Sequence, residues 1–284
     1  MAISYYVICC LLHLEFSLWL VRRRDTVFGP LAFTDWMPTL SVAVGLGLVF
    51  VIAKGLRNQA HARVTCIYWL IWLAAVVLID RFLTFSINEY FHYPQYATLA
   101  LLVAWALDPK RNRWLVARVL FWTTLMGMGD ELLQYLWITT SYSEYLDFND
   151  FIVNLVSAAA GVLLFYGPVK SQSVDMGKKF GTELWVAVGI ALIVVGGLLG
   201  GRIVVNPQEA IPPGGILRDD AGLPKLFLQR QSHIYGSWQN GPRRGTYYVM
   251  PPVPGVLAMA MLGLIFVSYA RVRLRGTLPN SGHF

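Results

Sequence analysis

Residues 129–161 read GDELLQYLWITTSYSEYLDFNDFIVNLVSAAAG. The acidic pair Asp130 and Glu131 lies near the end of one long apolar segment, and polar residues recur along the segment that follows. Ionisable groups at membrane depth are costly unless they are paired or hydrated. This stretch therefore predicts two neighbouring membrane-length helices with a candidate site between them.

The composition predicts an integral membrane protein. The chain has 284 residues, of which 56% are hydrophobic and 14% are charged. A backbone in lipid must satisfy its own hydrogen bonds, which favours helices, and roughly 20 apolar residues cross a bilayer core. We therefore predict an all-α, polytopic transmembrane helical bundle with eight spans, at about 3–21, 37–54, 64–80, 94–108, 114–135, 149–167, 184–201 and 253–270.

The spans divide into three regions: N-terminal transmembrane helices over 1–80, a helical core over 81–168, and a two-helix extension over 184–284. The extension contains a Pro- and Gly-rich outer loop, 202–252. In it, HIYGSW and GTYYVM flank Gln239-Asn240-Gly241-Pro242, and Asn-Gly between such runs predicts a small β-hairpin.

The basic residues predict orientation. Lys and Arg concentrate in 54–63, 108–113, 170–179 and 271–275, which should therefore be cytoplasmic. The chain is then a multi-pass protein of the bacterial inner membrane with both termini in the cytoplasm. Loop 202–252 is periplasmic or extracellular. Arg22 to Arg24 conflict with this orientation, because it places them on the outer side of the membrane. We expect acidic residues of the outer side to hold them there.

Spacing brings the polar residues of three helices together at the outer end. On the predicted fifth helix, Asp130, Glu131 and Gln134 share a face. The fourth and sixth helices carry polar residues separated alternately by three and four positions, which places them on one stripe of each helix: Glu89, His92 and Tyr96 on the fourth, and Asp147, Asp150, Asn154, Ser157 and Gly161 on the sixth.

Two interpretations of this cluster stay open. Polar and small residues often serve only to join helices, and Asn154, Ser157 and Gly161 fit that role. The carboxyl groups fit it less well, because like charges at one interface need cations, protons or water, and we expect at least one raised pKa among them. A carboxylate, a His and a Tyr could act as acid and base, so enzymatic activity is left open, but the absence of a nucleophile motif, metal-ligand spacing or phosphate loop argues against it.

Cofactors and nucleic acid are not expected. Cys9, Cys10 and Cys66 all fall in apolar runs without disulfide or zinc spacing. His13 is interpreted as a helix-to-helix hydrogen bonder, with axial ligation of haem or chlorophyll as the alternative. The net charge of +7 comes from short loops between spans, so it indicates orientation in the lipid bilayer and not a nucleic-acid partner.

The order NEYFHYPQYATLALL, GMGDELLQ and YLDFNDFIVNLVSAAAG resembles the VanZ-like family of bacterial membrane proteins over roughly residues 85–166. The family pattern is a His and Tyr opening one helix, Asp-Glu-x-x-Gln on the next, and an Arg-x-x-Asp-x-x-Asp-x-x-x-Asn-x-x-Gly run leading into a third. The matching positions are His92, Tyr96, Asp130, Glu131, Gln134, Asp147, Asp150, Asn154 and Gly161.

Two departures bear on the site. The family's outer-loop arginine is missing, and Ser157 replaces the first glycine of the final run. Arg22 to Arg24, Arg81 or an arginine of the long loop are candidates to replace that counter-ion.

The resemblance implies an envelope-associated role without an established reaction. We expect the cluster to bind a partner or an envelope lipid or cell-wall-related ligand. The alternative is a non-catalytic accessory or structural subunit of a larger membrane complex, energy-transducing or photosynthetic, with other membrane subunits as partners.

Overall fold

The computed structural model describes residues 1–22, part of 45–57, and 62–138, 145–169, 181–208, 221–241 and 245–275. Its long helices are α1 (Ala2–Arg22), α2 (Ala62–Phe82), α3 (His92–Leu107), α4 (Val116–Leu133), α5 (Phe148–Tyr166), α6 (Thr182–Leu199) and α8 (Pro252–Arg275). Shorter elements are a 3-10 helix (Ile87–Phe91), a π-helical turn (Gln134–Ile138), α7 (Ser232–Tyr235), β1 (Ile203–Val204), β2 (Leu226–Phe227), β3 (Trp238–Gly241) and β4 (Gly245–Tyr248).

The helical architecture is confirmed, but eight spans are not supported. Within the described residues, four helices are long and apolar enough to cross a membrane, namely α2, α5, α6 and α8. Three further predicted helices form but are not long and apolar enough to count as spans. Helix α3 has only 16 residues, and α4 contains three charged residues, Arg118, Asp130 and Glu131. Helix α1 counts only as a shorter apolar helix over Ala2–Leu12. The predicted helix 37–54 lies largely outside the described residues.

Helix α5 lies at the centre of the bundle and packs against α2, α3, α4 and α8. In its apolar 18-residue window, 89% of the residues are buried, compared with 28% in α2 and 17% in α8. Gly161 allows the closest approach: a Cβ there would lie 2.3 Å from the backbone oxygen of Ala97 in α3. The core therefore draws on all three predicted regions of the chain.

One end of the bundle, which we call the hairpin end, carries the C-termini of α2 and α4 and the N-termini of α3, α5 and α8. Strands β3 and β4 pair antiparallel there, which confirms the predicted hairpin. The predicted Asn-Gly turn is wrong, because Asn240 pairs with Thr246 and Gly241 with Gly245 inside the ladder. This register buries Gln239 and Tyr247, and the predicted strand HIYGSW begins instead as α7.

The described parts of the long loop, residues 202–208 and 221–228, also pack at the hairpin end. β1 and β2 pair in parallel, and the amide of Leu146 donates to the oxygen of Phe227 at 2.8 Å. The amide of Phe227 donates to the hydroxyl of Tyr135, which itself donates to the oxygen of Lys225. These bonds hold the segment against the start of α5 and the end of α4.

The opposite end is organised by Arg273, which is 1% exposed. Its guanidinium donates to the backbone oxygens of Tyr166, Gly167 and Val169 just beyond α5, and to the hydroxyl of Tyr269. Cationic donors suit the negative end of a helix dipole. Arg273 therefore ties α8 to the C-terminus of α5.

Candidate functional site

The candidate site lies at the hairpin end because antiparallel helices bring the first turns of α3 and α5 beside the last turn of α4. His92 begins α3, Asp130 and Glu131 precede the end of α4, and Asp147 is the N-cap of α5. Helix N-termini favour nearby negative charge, so this geometry suits the carboxylates that the sequence places there.

Asn154 joins the three helices. His92 Nδ1 donates to Asn154 Oδ1 at 2.7 Å, and Asn154 Nδ2 donates to Glu131 Oε1 at 3.1 Å. Glu131 Oε1 is also 3.7 Å from His92 Nδ1. All three side chains are buried, with Asn154 only 1% exposed. The predicted grouping of His92, Glu131 and Asn154 is thus present as one hydrogen-bonded chain.

Asp130 is the centre of a second, adjoining set. Tyr96 donates its hydroxyl to Asp130 Oδ2 at 2.7 Å, and Gln95 Nε2 donates to the same oxygen at 3.2 Å. The thiol of Cys10 in α1 is within hydrogen-bonding reach of Asp130. Sequence reasoning missed Gln95 and Cys10, although Gln95 is a polar residue in the opening turn of the helix that carries His92 and Tyr96.

Gln134 begins the π-helical turn that continues α4, and it is buried. Single π-helical turns occur frequently at functional sites. Ser157 is fully buried, and its hydroxyl donates to the oxygen of Val153 in its own helix at 2.6 Å, not to another helix.

Asp147 and Asp150 form the half-buried edge of the cluster. Burial, and then the neighbouring charge of Asp150, raise the pKa of Asp147 to about 7. Burial and the charges of Asp150 and Asp147 also raise the pKa of Glu89 well above its ordinary value. The raised pKa of Asp147 agrees with the expectation that at least one carboxyl group of the cluster resists ionisation.

Arg230 supplies positive charge from the long loop. It lowers the pKa of Asp147 slightly against the larger effects of burial and Asp150. Its guanidinium lies 5.6 Å from the ring centre of Tyr145 and donates to Gln239 Oε1 at 2.8 Å. An arginine of the long loop, which is one of the candidates for a counter-ion, therefore acts on the acidic edge.

Asn149 fastens the hairpin to the bundle. Its Nδ2 donates to the oxygens of Leu83 and Tyr248, and its Oδ1 accepts from the amide of Met250. The side chain is 2% exposed. Asn149 consequently links the start of α5 to the residue after α2 and to the end of β4.

Within the part of the chain that the structure describes, no group of three or more His, Cys, Asp or Glu residues is arranged to hold a metal ion. The side chain of His13 lies outside the described residues. Cys9, Cys10 and Cys66 form no disulfide bond within the described residues. Comparisons with known protein families, with curated proteins and with solved structures find no match.

Proposed function

We propose that this chain is a VanZ-like, multi-pass protein of the bacterial inner membrane whose hairpin end faces outward. In this proposal the buried polar cluster binds an envelope lipid or cell-wall-related molecule through a positively charged group. The observation that carries the proposal is the convergence of Asp130, Glu131 and Asn154 with His92 and Tyr96 on three helices.

The chemistry of the cluster favours an ammonium group as the recognised part of the ligand. Its side chains supply mostly acceptor oxygens, and carboxylates at low dielectric gain most from a cationic hydrogen-bond donor. Glu89, Asp147 and Asp150 are partly exposed members of the cluster, and in this proposal they mark the side from which a ligand reaches Glu131. Phe227 of the long loop bonds to Tyr135 and Leu146, which are the chain neighbours of Gln134 and Asp147.

The test is a comparison of soluble probes with purified protein in detergent micelles. Glycerophosphoethanolamine and a lysine-containing cell-wall stem peptide carry an ammonium group, and glycerophosphoglycerol does not. A ligand that binds the folded state raises the melting temperature. We expect the ammonium probes to raise it, and we expect Glu131→Gln to abolish that rise while Glu183→Gln, at the opposite end of the bundle, retains it. Equal effects of all three probes would contradict the proposal.

A second candidate function, an accessory subunit of a larger membrane complex, is favoured by α6. The most hydrophobic stretch of this helix is only 6% buried, and Trp185 and Ile193 are each more than 70% exposed. One polar attachment is the ion pair between Arg118 Nε and Glu183 Oε1, at 2.5 Å. Such a helix needs lipid or another subunit along its length.

The mass of the native particle separates the two functions. The chain alone has a mass of 31.9 kDa. Extraction in a mild detergent should yield a small particle of this chain and lipid if it acts alone. A larger particle with reproducible other subunits would favour the accessory role.

A further inference from the structure

A groove of about 610 Å³ runs between α2, α5 and α8, beneath the β3–β4 hairpin. Its walls include Ala74 and Leu78 of α2, Ile152 of α5, and Ala258 and Leu262 of α8. Both α2 and α8 are long and apolar enough to span a membrane. The groove therefore follows the surface that these helices present to the hydrocarbon.

Aromatic residues of the hairpin close one end of the groove. Trp238 and Tyr248 line it there, and the Trp238 ring packs edge-on against Tyr248 and Phe82 with centroid distances of 5.2 and 6.5 Å. Tryptophan and tyrosine concentrate where a bilayer meets water. This end of the groove accordingly lies at the level of the lipid headgroups.

The lining excludes a polar occupant. Every side chain that lines the groove is aliphatic, aromatic or a methionine, so a polar ligand would lose its hydrogen bonds to water without replacement. The volume falls within the range of roughly 300–1,000 Å³ typical of small-molecule sites. A flexible hydrocarbon chain satisfies both conditions.

Arg81 adds a charge at the closed end. It follows Ala74 by seven residues, which is about two helical turns, so both lie on nearly the same face of α2. It precedes Phe82, and its side chain is exposed. We propose that the groove holds an acyl chain of an anionic phospholipid, with the lipid phosphate at Arg81.

This lipid site is separate from the polar cluster. Ile152 and Asn154 are two residues apart on α5, which places them on nearly opposite sides of the helix. Ile152 lines the groove, whereas Asn154 bonds to His92 and Glu131. Substitutions in the groove can therefore be tested without altering the proposed ammonium site.

The experiment uses the full chain in nanodiscs of phosphatidylcholine containing phosphatidylglycerol with a photoactivatable diazirine in its acyl chain. Crosslinks are mapped by mass spectrometry. We expect labelling at Ala74 and Leu262 to exceed labelling at Leu192, an exposed position of α6, by several-fold. Uniform labelling of these positions would overturn the proposal, because it would indicate only bulk lipid.

Matched variants test the groove itself. Ala258→Phe fills it and should lower both the crosslinking and the lipid retained in native mass spectrometry several-fold. Ala260→Phe, at an exposed position of the same helix, should change neither. Ala74→Phe, also exposed, provides a second filling variant with little risk to folding. Unchanged retention in the filled variants would overturn the proposal.

Two further results identify the headgroup and the rival occupant. Arg81→Gln should reduce the preference for phosphatidylglycerol over phosphatidylcholine, and an unchanged preference would overturn the assignment of the phosphate. A larger particle without lipid crosslinks at Ala74 would mean that a second copy of the chain or another protein covers the groove. That result would overturn the acyl chain as its occupant.

Discussion

The geometry of the cluster depends most on one residue, Asn154, through its side-chain amide. It accepts from His92 and donates to Glu131, so it uses both ends of its side chain within a buried interface. A buried polar group that loses its partner costs about 1–3 kcal/mol. The side chain therefore contributes to both the assembly of α3, α4 and α5 and the orientation of the candidate binding groups.

We expect Asn154→Ala to lower the free energy of unfolding by about 1–3 kcal/mol, because it leaves both His92 and Glu131 without this partner. Ser157→Ala is the matched control on the same helix, since its hydroxyl bonds only to Val153 of its own helix. Chemical denaturation in detergent micelles measures both. Equal effects of the two substitutions would argue against a joining role for Asn154.

Asp147 predicts a pH dependence. Its pKa is raised to about 7 in the folded state, so between its ordinary value and 7 the folded protein binds a proton that the unfolded chain releases. The free energy of unfolding should consequently fall as the pH rises through 7, and it should be higher at pH 5. Glu89, whose pKa is also raised, acts in the same direction.

Asp147→Asn is the variant that tests this dependence. Asparagine also serves well as an N-cap, so it can keep the bond to the amide of Asn149 at the start of α5. We expect the variant to reduce the loss of stability between pH 5 and 8, as measured by melting temperature. A slope identical to that of the unsubstituted protein would show that Asp147 does not titrate in this range.

At the level of elements, α3 and α5 pack closely where a glycine, Gly161, lies between them. The position of Gly161 faces the backbone of α3, whereas Gly189 of α6 has nothing within 4 Å of an added Cβ. Because a packed interior resists even one added methyl group, the two glycines should respond oppositely to the same substitution.

Gly161→Ala should destabilise the protein by about 1–3 kcal/mol, because the new methyl group would meet the oxygen of Ala97. Gly189→Ala should be neutral, or stabilising by up to about 1 kcal/mol through helix propensity. Denaturant titration of both variants in the same detergent provides the comparison. A neutral Gly161→Ala would mean that α3 and α5 can separate without loss.

At the scale of the whole molecule, Arg273 links the last helix to the centre of the bundle and to α2. In addition to the carbonyls beyond α5, it donates to the hydroxyl of Thr65, and its guanidinium lies 4.8 Å from the ring centre of Trp114. Hydrogen bonds from a charged group contribute about 1.5–3 kcal/mol each. The final helix is thus fixed at the end opposite the candidate site.

Arg273→Met should destabilise the protein by several kcal/mol, because the carbonyls at the end of α5 lose a shared donor. Arg271→Met, two residues earlier and exposed, should have little effect. Hydrogen exchange should locate the change at residues 166–169 and in α8. Similar hydrogen-exchange rates in the two variants would contradict the role of Arg273 in fixing α8 to the end of α5.

The helical class, the apolar character of the membrane-length helices and the approximate bounds of most long helices follow from the sequence by itself. They depend on hydrophobicity and periodicity, which are local properties of the chain. The same periodicity placed His92, Glu131 and Asn154 on facing stripes. Only the tertiary structure decided that Asn154 bridges the other two, because hydrogen-bond pairing depends on how three helices are rotated against one another.

Contacts between distant segments were decided by the tertiary structure alone. Arg230 reaches the acidic edge, and Gln95 reaches Asp130, through the packing of elements that no local pattern relates. The hairpin makes the same point: turn propensity predicted Asn240-Gly241 as the turn, but burial of Tyr247 and Gln239 accompanies a different register. Side-chain burial across the sheet outweighs local turn preference, because a register shift of one residue would turn those side chains to the opposite face.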